Sequence, residues 1–363
     1  MRVLFLVQGE GRGHLTQAVS LAQILQNSPH ELVGAVVGVA DERPVPAFFA
    51  DSFPAPIETV ASPALVYSPK TNALMPLESF IGGIKNSPTF WRSLSLIDAA
   101  ITRSRADVVI NFYEVLGGMT YYFRRPKTPL LTVAHQYLAF HPQFQFPVGK
   151  KAVDKQTFML LSRVTSFGAR ERLALSFDQL PDAPEHQIRV MPPLLRQEAT
   201  QRQPTTEDYV LAYMTQPGLR VQLAEAHRLR PDVPVHCFNS GVSAADEVVD
   251  DTLTYHAIDG KRFLDFMQNS RAVITTAGFE SVCEAAYLGK PVLMMPQPNH
   301  YEQACNATDG QRAGVGIAAD SFDLDALMGY LPRHDYAVNE RFRTWQNQAG
   351  QLFLDAIERI NRN

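Results

Sequence analysis

The chain has 363 residues, 45% hydrophobic and 19% charged, and its 33 Lys and Arg against 37 Asp and Glu give a formal charge of -4. This length exceeds one ordinary core and predicts two domains. The hydrophobic content excludes a disordered chain, and the slight acidity lacks the basic excess of a nucleic-acid binder.

Cys237, Cys283 and Cys305 show neither CxxC nor Cys/His spacing, which argues against a disulfide framework or a zinc site and for a reducing compartment. No run approaches the roughly 18 apolar residues of a membrane helix. Val3–Val7 is too short for a signal peptide before Glu10 and Arg12. The expectation is a cytoplasmic protein with at most peripheral membrane contact.

In chain order, VLFLV reads as a strand buried on both faces. The loop GEGRGH follows, and then Leu15, Ala18, Ala22 and Leu25 mark one face of a helix that Asn27, Ser28 and Pro29 end. ELVGAVVGV is the next strand, which makes a βαβ unit and a parallel sheet. ADVVINF (106–112) and PLLTVAH (129–135) repeat the strand-to-polar-loop pattern, with a helix over 115–123 between them. QEATQRQPTTED, around 198–207, has the small polar composition of a linker. A second strand series follows: YVLAYM, VPVHCF, LTYHAI, RAVITT and KPVLMMP. The end, 344–363, reads as an amphipathic helix.

The chain is therefore α/β, with two doubly wound, Rossmann-like parallel-sheet domains: residues 1–197 and 208–343. Such sheets bind ligands beyond the carboxyl ends of their strands, so a cleft between the domains is the expected site.

The richest segment is RAVITTAGFESVCEAAYLGKPVLMMPQPNHYEQACNA. A strand ends at Thr275 and Thr276, a turn follows at Ala277–Gly278, and a helix runs from Phe279 to about Leu288, stopped by Gly289 and Pro291. A helix N-terminus with a glycine before it suits a phosphate or diphosphate, and Thr276 and Ser281 can add hydroxyls. Glu280 and Glu284 lie on one helix face, where a carboxylate can accept both hydroxyls of a ribose. The same pattern also serves as a plain strand–turn–helix in many α/β proteins.

Ala257–Ile317 resembles the donor-binding region of GT-B glycosyltransferases: MurG, the UDP-glycosyltransferases, and a poorly characterised prokaryotic glycosyltransferase-like group. The resemblance implies that the Thr275–Phe279 turn holds a nucleotide diphosphate, that Glu284 binds the ribose, and that Glu302 and Gln303, ahead of Asn306–Ala307, recognise the sugar. Main-chain groups at Ile258 would hold the base. The tryptophans and the His-Cys-Gly-Trp run of the plant-type signature are absent, and Thr-Ala-Gly-Phe stands instead.

On the acceptor side, the resemblance offers His14 as the general base, with Gly11 and Gly13 approaching the donor phosphates. An imidazole with a pKa near 6.5 suits that task; His14 is alternatively a polar helix-start residue. GEGRGH fails the dinucleotide fingerprint because His14 stands where its last glycine belongs, although Asp41 sits where a ribose-binding acid would.

At INFYEVLGG, relatives carry an aspartate that orients the histidine. This chain has Asn111, with Glu114 three residues on, either orienting or replacing the base or merely starting a helix. His135, Gln136 and Tyr137 lie in an aromatic loop that either meets the acceptor or packs within the N-terminal domain. Asp323-Leu324-Asp325 imitates a metal-binding DxD but reads as a helix start. Arg124, Arg125, Lys127, Lys150 and Lys151, with Phe80, Ile81 and Ile84, either touch a membrane or form solvated faces.

The expected function is transfer of a sugar from a nucleoside-diphosphate sugar, UDP- or dTDP-linked, to an acceptor hydroxyl, inverting, with no metal and no cofactor. The partners are that donor and an acceptor of unstated class, without nucleic acid. The alternatives are a sugar-nucleotide epimerase or hydrolase of the same fold, a non-catalytic sugar-nucleotide binder, and a dehydrogenase. The last helix is implied to pack back on the N-terminal domain.

Overall fold

The computed structural model describes residues 1–40, 44–62, 87–216, 218–243 and 245–360. They form two compact units, Met1–Arg196 with the chain from Asn347 onward, and Gln197–Gln346.

In the first unit seven strands make one sheet: β1 (Arg2–Gln8), β2 (Glu31–Val39), β3 (Ile57–Ala61), β4 (Val108–Phe112), β5 (Leu130–Ala134), β6 (Ala169–Leu175) and β7 (Ile188–Met191). Their order is β3-β2-β1-β4-β5-β6-β7, and every neighbouring pair is parallel. A parallel sheet is covered on both faces, so its strands are continuous apolar runs: Val3–Val7 and Val108–Ile110 are all buried. The strand order reverses at β1 and β4, which makes the crevice beyond their carboxyl ends the topological switch point. The register sets Val7 opposite both Val37 and Phe112, and Gln8 opposite Gly38. The loops after β1, β2 and β4 therefore emerge side by side.

The second unit repeats the plan with β8 (Val210–Met214), β9 (Val235–Asn239), β10 (Glu247–Val248), β11 (Leu253–His256), β12 (Ala272–Thr275), β13 (Val292–Met294) and β14 (Gly316–Ala318). The order is β10-β11-β9-β8-β12-β13-β14. All pairs are parallel except β10 with β11, an antiparallel two-residue edge. The switch point falls between β8 and β12. A core of Val210, Ala212, Val235, Ile274, Leu293 and their neighbours packs beneath the helices.

The stretch expected as a linker is fastened along the second unit. Its first residues make a short helix, Gln197–Thr200. Thr205 N–H then donates to Gln268 O at 3.1 Å and Glu207 N–H to Asn269 O at 2.6 Å. The buried Lys290 ammonium donates to Thr205 O and Ser270 O. At the C-terminus the expected single helix is two, Ala337–Gln346 in the second unit and Ala349–Arg359 in the first. The latter buries Ala349, Phe353, Ala356 and Ile357 against the helix Gly13–Gln26 and β7, and Arg170 donates to Ile360 O at 3.0 Å. No described helix is long and apolar enough to cross a membrane.

Candidate active site

In the second unit the switch-point loop after β12 is a tight turn. Ala277 takes a left-handed φ of 58° although it carries a Cβ. Strain of this kind, about 1 kcal/mol or more, persists where the surroundings impose it and clusters at functional sites. Here Asn306, buried on the helix Tyr301–Arg312, donates from Nδ2 to Ala277 O at 2.9 Å.

Gly278, the N-cap of the helix Phe279–Tyr287, has an ordinary φ of -65°. A Cβ there would meet only Ser281 Oγ, at 3.5 Å. The fold itself does not require a glycine at this position. Its missing side chain leaves open the space in front of a helix N-terminus, where free N–H groups and the dipole favour an anion.

The hydroxyls around the turn are largely spent within it. Ser281 Oγ donates to Gly278 O at 3.0 Å, and Thr275 Oγ1 lies 3.0 Å from Ser281 Oγ. A hydroxyl has one proton, so Thr275 donates to Ser281, and the expected donation from Ser281 to a phosphate is diverted to the turn. Thr276, Phe279 and Glu284 are buried, Glu284 being 2% exposed.

Gln303 is likewise structural in part, since its Oε1 accepts from Gln297 N–H at 2.8 Å and so shapes the loop after β13. Gln297 Oε1 in turn accepts from Gln216 after β8, at 3.0 Å. Glu302 is in the first turn of the same helix. His300 caps it by accepting from Gln303 N–H, a role for the neutral ring, and burial lowers its pKa. Thr275–Glu284 and Glu302–Gln303 are thus one assembly joined through Asn306. Ile258 lies apart from it, beyond β11 and three strand spacings from β12, or about 14 Å.

In the first unit the first turn of the helix Gly13–Gln26 and the loop after β4 meet through aromatic stacking. The His14 ring lies on the Tyr113 ring, 5.2 Å between centroids and 17° between planes, and His14 Nδ1 is 3.3 Å from Gln17 Oε1. Tyr113 holds a left-handed φ of 58°, and its hydroxyl reaches Ser162 at 2.8 Å. Gly11 has φ 79°, a conformation that favours glycine; Gly13 opens the helix.

Glu114 is 1% exposed. Its Oε1 caps the helix Val115–Phe123 by accepting from Leu116 N–H at 3.0 Å and also accepts from Ser62 Oγ at 2.7 Å. Burial pushes its pKa up to about 7; the two donors oppose that rise and the charge of Glu10 adds to it. Asn111 is a bracket for this turn: Nδ2 donates to Glu114 O and Thr165 O, and Oδ1 accepts from Glu114 N–H.

His135, Gln136 and Tyr137 are buried. His135 Nδ1 is 2.8 Å from Leu175 O, and the Tyr137 hydroxyl donates to Thr165 at 3.1 Å. They therefore pack within the first unit, and Tyr137, wholly enclosed, offers no surface to an acceptor. Asp41, Phe80, Ile81 and Ile84 lie outside the described residues. Arg124, Arg125, Lys127, Lys150 and Lys151 are exposed. Asp323 caps its helix by accepting from Ala326 N–H at 2.8 Å, and Asp325 pairs with Arg230 at 2.7 Å.

Gly38 and Ser62, which sequence reasoning missed along with Tyr113, had no signal in the sequence, because each matters through Glu114, remote in the chain. Tyr113 alone could have been suspected, lying between Asn111 and Glu114.

The profile of glycosyl transferase family 1 matches residues 1–333. Over 86 residues the chain is 36% identical to the Caenorhabditis elegans protein ugt-48, named for UDP-glucuronosyltransferase; the match spans 23% of this chain and 15% of that protein. Among solved structures, Phytolacca americana UGT2, complexed with UDP-2-fluoro-glucose and pterostilbene, aligns over 99% of both chains with TM-score 0.68 and 14% identity. MurG of Acinetobacter baumannii aligns over 99% of both with TM-score 0.58 and 15% identity. At these identities the structures speak for the fold, GT-B, and the family match speaks for kinship. The chain belongs to glycosyl transferase family 1.

Proposed function

We propose that the protein transfers a glycosyl group from a nucleoside-diphosphate sugar, UDP- or dTDP-linked, to an acceptor hydroxyl, with inversion and without a metal, in the cytoplasm. The observation that carries this reading is Gly278, an N-cap glycine with an unstrained φ and open space where its Cβ would be. It stands at the switch point of the second sheet in a chain of this family. A diphosphate can approach the N–H groups of the helix Phe279–Tyr287 there, with Thr276 beside it. Glu284 takes the ribose hydroxyls, Ile258 main chain the base, and Glu302 with Gln303 the sugar.

In the reaction the acceptor O–H bond breaks and its proton passes to His14. The oxygen then bonds to the anomeric carbon while the bond from that carbon to the diphosphate oxygen breaks. The electron pair leaves on the diphosphate, where the helix N-terminus stabilises the charge with preoriented donors. Stacking on Tyr113 fixes the imidazole plane. Asp323, the DxD lookalike, spends its carboxylate on a helix cap, which supports a metal-free reading.

A thermal-shift panel of nucleotides and sugar nucleotides tests the donor site. UDP or dTDP raises the melting temperature of the wild type, and Glu284→Ala abolishes the rise. A wild type indifferent to every nucleoside diphosphate sinks the assignment.

A further inference from the structure

Tyr113 is a bulky residue in an unusual backbone state. Its φ of 58° is left-handed, a genuine outlier for an aromatic side chain. Asn111 braces the turn that imposes it: Oδ1 accepts from Glu114 N–H at 2.9 Å, and Nδ2 donates to Glu114 O at 3.0 Å and Thr165 O at 2.8 Å. The ring so aimed is 3% exposed, tilted against Tyr137 at 5.7 Å and stacked on the partly exposed His14 at 5.2 Å. Strain imposed by the surroundings clusters where a side chain must be presented for a task.

The far end of the ring is held as firmly. Ser162 Oγ donates to Phe158 O at 2.9 Å. A hydroxyl has one proton, so in the 2.8 Å contact between Tyr113 and Ser162 the phenol is the donor. The chain from Tyr113 through Ser162 to the Phe158 carbonyl therefore runs one way, and its bonds polarise one another, which leaves the phenol oxygen and its ring richer in electrons. The face of an aromatic ring is negative and attracts a cation within about 6 Å of its centroid. The His14 ring lies inside that distance, only 17° from parallel. Neutral imidazole gains little from this, whereas imidazolium gains a cation–π attraction.

We propose that Tyr113 is the positioning residue of His14, and that its ring face stabilises the positive charge His14 acquires with the acceptor proton. This rests on reading His14 as the base. The tyrosine neither gives nor takes a proton: the proton passes from the acceptor oxygen to the imidazole, and the charge so formed sits over the ring. The gain falls on the protonated imidazole alone, so it serves the chemical step more than the binding of the acceptor.

Proton NMR titration of the histidine C2–H signals of the full chain tests this, with the His14 signal identified by its loss in His14→Gln. Tyr113→Gly and Tyr113→Asn both remove the ring and suit a left-handed backbone, so the turn tolerates them. In both, the midpoint of the His14 titration falls by roughly 0.4–0.7 pH unit, the roughly two- to fivefold loss of proton affinity that a cation–π contact at an exposed site predicts. Tyr113→Phe keeps the ring and retains at least about half of that affinity. Glu10, Arg12 and Glu114, on the same loops, are common to every variant, so the differences among them read the ring. A midpoint that stays or rises in Tyr113→Gly and Tyr113→Asn overturns the proposal. So does a fall in Tyr113→Phe equal to theirs, which would place the effect in the hydroxyl chain. No nucleotide or acceptor enters this titration, whereas the base itself fails only if His14→Ala leaves sugar transfer intact, so the two failures are read apart.

Discussion

Gly278→Ala separates folding from donor binding. Gly278 has φ -65° and ψ 128°, which alanine adopts freely, and the added Cβ meets only Ser281 Oγ at an ordinary 3.5 Å. Lower entropy of the unfolded chain favours the alanine by about 0.4–1 kcal/mol, while its poorer N-cap character costs about 0.5–1 kcal/mol. Stability should therefore move by less than about 1 kcal/mol. The methyl group projects in front of the helix N-terminus and displaces a diphosphate from its N–H donors. Losing one hydrogen bond to a charged group, roughly 1.5–3 kcal/mol, raises the UDP dissociation constant roughly 10- to 100-fold. Urea unfolding and titration calorimetry measure the two quantities on the same samples. Affinity within twofold of wild type would refute the donor turn. A stability loss beyond about 2 kcal/mol would show that the fold itself needs the glycine.

Three further outcomes are expected. Gly38→Ala puts a Cβ 2.2 Å from Glu114 Oε2 and destabilises the protein by about 2 kcal/mol or more; combined with Glu114→Ala it costs less than the sum of the two single changes, which a double-mutant cycle of urea unfolding checks. Asp323→Ala removes a helix cap, lowering stability by about 1 kcal/mol without altering turnover in the presence of a chelator.

The third concerns acid. Burial, then the nearby His256 and Arg262 charges, lower the pKa of His236 to about 4 against the opposing effect of Asp246. A histidine held neutral in the folded state contributes full stability above its unfolded pKa near 6.5 and loses it as pH falls toward 4. The loss is at most about 3 kcal/mol before solvent screening, and His236→Gln flattens this part of the pH–stability curve. Asp246, whose pKa is lowered mainly by its hydrogen bonds with Arg262, adds its own loss only below the ordinary carboxylate range.

The fold class is legible in the chain alone, because strands buried on both faces must be continuous apolar runs, and VLFLV, VVINF, PLLTV and VITT announce themselves. Sequence reading missed β3, β6, β7, β10 and β14: β6, ARERLAL, carries Arg170, Glu171 and Arg172 in its first half, β3, IETVA, is largely exposed, and β10 is a two-residue exposed edge, so none of these three is a continuous apolar run. It also placed Thr275–Phe279 at a strand–turn–helix junction, since Gly278 and the apolar helix face are local signals.

Tertiary structure decided what these groups do. The sequence marks Gly278 as the turn glycine, yet Ala277 carries the left-handed φ, which depends on Asn306, 29 residues on. Ser281 and Gln303 turn back onto the main chain of Gly278 and Gln297, three and six residues away, rather than toward open space. Glu114 owes its raised pKa to burial beneath Gly38, against the opposing hydrogen bond from Ser62, because desolvation comes from all the chain packed around a group and local sequence does not encode it.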